Sequence, residues 1–82
     1  MLDSLSLTNK VIGAKQTKKA IETGSAAAVY YAADAEARIL TPVLSLCEAS
    51  GIVIYKVDTM KSLGMACGIT IGAAVAAVLK ET

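Results

Sequence analysis

Apolar positions along the chain switch between two spacings, and each switch marks an element. Ala14, Thr17, Ala20, Ile21 and Gly24 fall on one face, with Lys15, Lys18, Lys19 and Glu22 opposite. That pattern predicts a helix over Ala14–Thr23, stopped by Gly24. Ala28–Ala33, reading AVYYAA, has the length and β-rich centre of a buried strand, and Asp34 closes it. From Glu36 to Ser50, Ile39, Val43, Leu46 and Cys47 recur at helical spacing before Gly51 ends the run. Pro42 is tolerated only in a first turn, so the regular helix is expected to start near Leu40 or Thr41. Ile52–Val57, IVIYKV, is the clearest strand; Thr59 then caps a short helix through Ala66, and Ala73–Leu79 supplies the last strand. At the front, Asp3 or Ser4 can cap a helix over Leu5–Asn9, followed by Val11 and Ile12 as a brief strand and Gly13 as a break.

Strands alternating with helices imply right-handed crossovers and a mainly parallel sheet sandwiched between helices, with the first short strand antiparallel at an edge, making the sheet mixed. At 82 residues, without repeat, linker or low-complexity tract, the chain reads as one domain over residues 1–82. A domain this small has little core to spare for a large catalytic cleft. Residues 62–79 are free of charge between Lys61 and Lys80, at the lower limit for a membrane span. Gly64, Gly68 and Gly72 oppose that reading, since each costs a helix about 1 kcal/mol. The stretch divides better into a short helix ending near Gly68, a loop and a β-rich run from Ile71.

Composition narrows the chemistry. Apolar residues make up 55% of the chain but aromatics only 4%, so the core is aliphatic, and Tyr30, Tyr31 and Tyr55 are the only rings on which a base could stack. Any grip on nucleic acid must then use backbone amides, cations and aliphatic contacts. The chain has no histidine, which removes the usual general base and every His-containing metal site. Asp34, Glu36 and Asp58 remain as acid–base candidates, and each is better read as a turn or strand-end residue. No enzyme, metal or cofactor is expected. Cys47 and Cys67 lack CxxC spacing and read as reduced thiols packed as small hydrophobes. The opening MLDSLSLTNK carries an acid where a leader needs a base, so a cytoplasmic location is expected.

Charge is unevenly distributed. Lys10, Lys15, Lys18 and Lys19 lie within ten residues, so that the rest of the chain totals −3 against a net charge of +1. Lysines adjacent on one helix face cost about 0.2–0.5 kcal/mol per pair, and here they crowd the positive end of the helix dipole. A bound anion relieves that conflict, because free amides and ammonium groups then share one phosphate. The loop GITIG is also unusual: Ile69 and Ile71 flank Thr70 between glycines. Its aliphatic side chains either tuck into the core or face a partner.

Two motifs carry a resemblance over nearly the whole chain. GAKQTKKAI, from Gly13 to Ile21, resembles the G-A-N-E-x-T-K motif of the kink-turn-binding ribosomal proteins of the L-seven-Ae type, and LGMACGITIGAA, from Leu63 to Ala74, resembles their later L-G-x-A-x-G-I-E-V-A-A-A pattern. The resemblance is to short bacterial homologues in particular. It implies a three-layer α-β-α sandwich with a small mixed sheet of about four strands. The RNA it implies is a sharply bent internal loop with tandem sheared G·A pairs, in which the kink opens a groove that regular RNA keeps narrow. Carried over by position, the helix start after Gly13 reads guanine edges. Lys15 stands for an Asn and Gln16 for a Glu, Lys19 keeps the lysine, and Lys18 adds charge beside them. Lys15 can donate to guanine O6 or N7, and the Gln16 carbonyl can accept from guanine N–H groups. Ile69, Thr70 and Ile71 look like the family's second contact, covering an unstacked nucleotide, and Lys61 looks like a phosphate contact. Thr70 replaces a frequent Glu and Met65 a frequent Arg or Lys, and the cation lost at Met65 lowers the expected affinity or salt slope. The implied partners are structured RNA with a kink-turn and the ribosome; the uncharged stretch is not expected to meet a membrane, and the alternating pattern, which leaves no second long apolar helical stripe, predicts a free monomer. The rival reading is a small assembly module that oligomerises through Ala-rich surfaces.

Overall fold

The computed structural model describes residues 9–80. The helix expected over Leu5–Asn9 lies outside them except for Asn9, which is not helical and whose carbonyl accepts the Leu79 N–H at 2.9 Å. The elements run β1 (Lys10–Ile12), α1 (Ala14–Glu22), β2 (Ala26–Ala32), α2 (Ala37–Ser50), β3 (Val53–Val57), α3 (Met60–Ala66) and β4 (Val75–Leu79). One four-stranded sheet has the order β1-β4-β2-β3. The expected α/β fold and mixed four-stranded sheet form, with β1 antiparallel at an edge.

The parallel share is smaller than the alternation of elements suggests. β2 pairs with β3 in parallel, whereas β4 runs antiparallel to both β2 and β1. β1 and β2, both antiparallel to the β4 strand between them, are parallel to each other, so α1 and α2 carry the two crossovers between parallel strands. After α3 and the loop 67–74 the chain re-enters the sheet at the end where β3 left it, and β4 runs the other way.

Alternation along the strands feeds two cores, one on each face. Val29 of β2 and Val75 and Ala77 of β4 pack with Ala20 and Ile21 of α1 and Val43 and Cys47 of α2. On the opposite face Tyr30 and Ala32 of β2, Val57 of β3 and Ala76 of β4 pack with Leu63 and Cys67 at α3. Helices on both faces make the three layers. Tyr30 and Tyr55, paired across β2 and β3, stack at 4.9 Å between ring centroids.

Pro42 lies inside α2, which begins at Ala37 with Glu36 as its N-cap, before the expected start near Leu40 or Thr41. Arg38, Thr41 and Pro42 are all exposed, so the proline sits on the solvent side of the helix. Tertiary packing of Leu40, Val43 and Cys47 outweighs the local penalty. The uncharged stretch 62–79 divides into α3, a loop and β4, and no helix among the described residues is long and apolar enough to cross a membrane.

Candidate nucleic-acid interface

The start of α1 is held open by its own sequence. Gly13 is the N-cap, with φ 103° and ψ 155°, a conformation that favours glycine, and it supplies no side-chain cap. No acid occupies the first turn. The first intrahelical bond runs from the Thr17 N–H to the Gly13 carbonyl at 2.9 Å, so the N–H groups of Ala14, Lys15 and Gln16 lie at the helix end with no partner within the helix. Lys15 and Gln16 are exposed at this positive dipole end, Lys19 is exposed in the last turn, and Lys18 and Gly13 are half-buried. Thr17 anchors the turn from inside, fully buried. Gln16 and Lys19, with Val11, Thr23 and Leu79, line an open groove of about 240 Å³ between α1 and the β1–β4 edge.

On the other face, α3 begins at a doubly fixed end. Thr59 Oγ1 accepts the Ser62 N–H at 3.0 Å, and Asp34 Oδ1, reaching from the turn after β2, accepts the Met60 N–H at 2.8 Å. Lys61 is exposed on this first turn. α3 ends in a glycine-dependent turn: the Ile69 N–H bonds to the Gly64 carbonyl and the Gly68 N–H to the Met65 carbonyl, each at 3.0 Å, with Gly68 at φ 83°. In this kind of helix stop the residue after the glycine turns back onto the helix. Ile69 accordingly packs against the core and is half-buried. Ile71 is 72% exposed, and Thr70 is also exposed. Of the three loop residues expected to meet a ligand, Thr70 and Ile71 are exposed and Ile69 is half-buried.

Three successive residues bring the two parts to one end of the sheet. The Ala73 N–H bonds to the Met60 carbonyl at 3.0 Å, the Ala74 carbonyl accepts the Ala32 N–H at 2.8 Å, and the Val75 carbonyl accepts the Gly13 N–H at 2.8 Å. The starts of α1 and α3 and the Ile69–Ile71 loop are thereby tied to the same strand end. Asp34, read from sequence as a strand-end residue, also caps α3. Nothing local signals that role, because its partner is 26 residues away. Glu36 and Arg38 form a 3.0 Å pair with side chains 63% and 80% exposed, a pair worth little in water. No grouping of three or more His, Cys, Asp or Glu suited to a metal occurs among the described residues.

Fold and site together define an α-β-α sandwich with an uncapped cationic helix start and an outward aliphatic loop at one end, suited to a folded polyanion that also offers apolar surface. Over residues 4–82 the sequence matches the model of the ribosomal protein L7Ae/L30e/S12e/Gadd45 family, and the chain belongs to that family. It is 50% identical over 68 residues to the RNA-binding protein TTE2299 of Caldanaerobacter subterraneus subsp. tengcongensis, covering 83% of each chain. To the RNA-binding protein YbxF of Geobacillus stearothermophilus it is 43% identical over 70 residues, covering 85% of each. Among solved structures, the Giardia lamblia 15.5kD RNA binding protein superposes with a TM-score of 0.87 at 28% identity, over 98% of this chain and 68% of that one.

Proposed function

We propose that the chain is a non-catalytic RNA-binding protein that grips kink-turn RNA through tandem sheared G·A pairs, as a cytoplasmic component of a ribosome or other ribonucleoprotein. The observation that carries this reading is the uncapped start of α1, with Lys15, Gln16 and Lys19 exposed, at the same sheet end as the outward-facing Ile71. Family membership and relatives named as RNA-binding proteins support RNA as the polyanion. In this account the free amides and Lys15 approach the guanine edges and nearby phosphates, and the Gln16 carbonyl accepts from guanine N–H groups. Lys19 donates to the same pairs from one turn further along. Lys18 and Lys61 neutralise phosphates, which positions the RNA without reading it. Thr70 and Ile71 cover an unstacked nucleotide, with Ile69 beneath them. The test is binding to a kink-turn RNA against the same RNA with its G·A pairs converted to Watson–Crick pairs. The reading predicts that conversion weakens binding by at least about a hundredfold; equal affinity for the two RNAs would leave only a general phosphate grip.

A further inference from the structure

Gly64 is buried in the middle of α3, a position where alanine is intrinsically the better helix former. A Cβ built there would overlap the carbonyl oxygen of Ile71 and lie 3.1 Å from the Gly72 Cα. The chain that returns from α3 therefore rests its backbone directly on the helix, and only a residue without a side chain leaves room for it. A second point of contact lies one turn earlier. A Cβ on Gly72 would lie 3.1 Å from the Met60 Cβ, and the Ala73 N–H bonds to the Met60 carbonyl at 3.0 Å. Met60 is itself fixed, since its N–H is held by Asp34 at 2.8 Å. Held at these two points, the loop presents the Ile71 side chain to solvent at 72% exposure.

We infer that Gly64 is a positioning residue for RNA binding: its missing side chain lets the Ile71 backbone seat on α3 and so sets where the Ile71 side chain meets the RNA. The inference rests on the proposal that Ile71 contacts the RNA. Gly64 is buried and acts only through the loop. A bulkier residue keeps the helix, whose propensity it improves, and displaces the loop.

A double-mutant cycle on a kink-turn RNA tests this, using Gly64→Ala, Ile71→Ala and the double variant, each checked for its fold by circular dichroism. Burying an exposed isoleucine against a nucleotide is worth about a tenfold change in affinity, so either single variant should bind about tenfold more weakly. The double variant should bind no more than about twofold more weakly than Ile71→Ala alone, because the two changes remove one contact. Full additivity, or wild-type affinity in a folded Gly64→Ala protein, would overturn the positioning role while leaving the interface in place. If Ile71→Ala alone binds like wild type, the loop leaves the interface and the inference falls with it. Should Gly64→Ala not fold, Gly72→Ala replaces it, displacing the same loop less and giving the same non-additivity with Ile71→Ala on a smaller scale.

Discussion

Cys47 and Cys67 show how far a residue's meaning was open to reading from the chain. Both were expected as reduced thiols packed like small hydrophobes, and both are free and buried, one in the core beneath α1 and α2 and the other in the core beneath α3. Burial pushes both thiols above their ordinary value, with Lys10 pulling slightly the other way at Cys67. Burial, and to a lesser degree Tyr55, likewise raises Tyr30. The thiolate is the reactive form, so the native protein should consume almost none of a colorimetric disulfide reagent at pH 8, and both thiols should react once it is unfolded. A fast native phase would place one thiol at the surface. The sign of the pH dependence follows from the same shifts. The unfolded thiols ionise first, so their contribution to stability is fully present below the ordinary thiol range and is lost as pH rises through the raised native values. Denaturant midpoints measured from pH 7 to pH 10 should therefore decline at the alkaline end.

At the scale of elements, the proposed function assigns reading to α1 and holding to α3. Lys61 is exposed on the first turn of α3, and the proposed function has it neutralise a phosphate. Lys61→Ala should weaken binding without changing the preference among kink-turn variants, and the slope of log affinity against log salt should become shallower by about one unit. An unchanged slope would remove Lys61 from the interface. The elements were also where sequence reading succeeded most and where its errors had physical causes. Thr59 as the cap of α3, and Gly24 and Gly51 just past the ends of α1 and α2, were legible because capping is local. The start of α2 was missed because packing of Leu40, Val43 and Cys47 is a tertiary effect that Pro42 does not report. The inward turn of Ile69 follows from the glycine stop of α3, whereas its neighbours in GITIG gave two open possibilities.

For the whole molecule, the direction of β4 and the meeting of the two motifs could not be read locally. Alternation of strands and helices is equally compatible with parallel and antiparallel returns. The motifs around Gly13 and Gly68 are legible separately, but the bonds of Ala73, Ala74 and Val75 join them at one sheet end. At the opposite extreme of the sheet order, β3 exposes Val53 at 53% and Ile54 at 36% on a five-residue edge strand that also carries exposed Lys56. A short edge bearing a lysine disfavours pairing with another copy, so sedimentation at micromolar concentration should give a monomer; a tight dimer would favour the assembly reading. The central claim is that the start of α1 reads guanine edges, and Gln16 tests it most directly because the residue is neutral, exposed and well suited to replacement by alanine in a helix. Affinities of wild type and Gln16→Ala should be measured on a kink-turn RNA and on its Watson–Crick-converted counterpart. The account predicts a loss of about 1–3 kcal/mol on the kink-turn, a much smaller loss on the converted RNA and a salt slope that hardly moves, with folding stability within about 0.5 kcal/mol of wild type. If Gln16→Ala binds both RNAs as tightly as wild type, α1 does not read the G·A pairs.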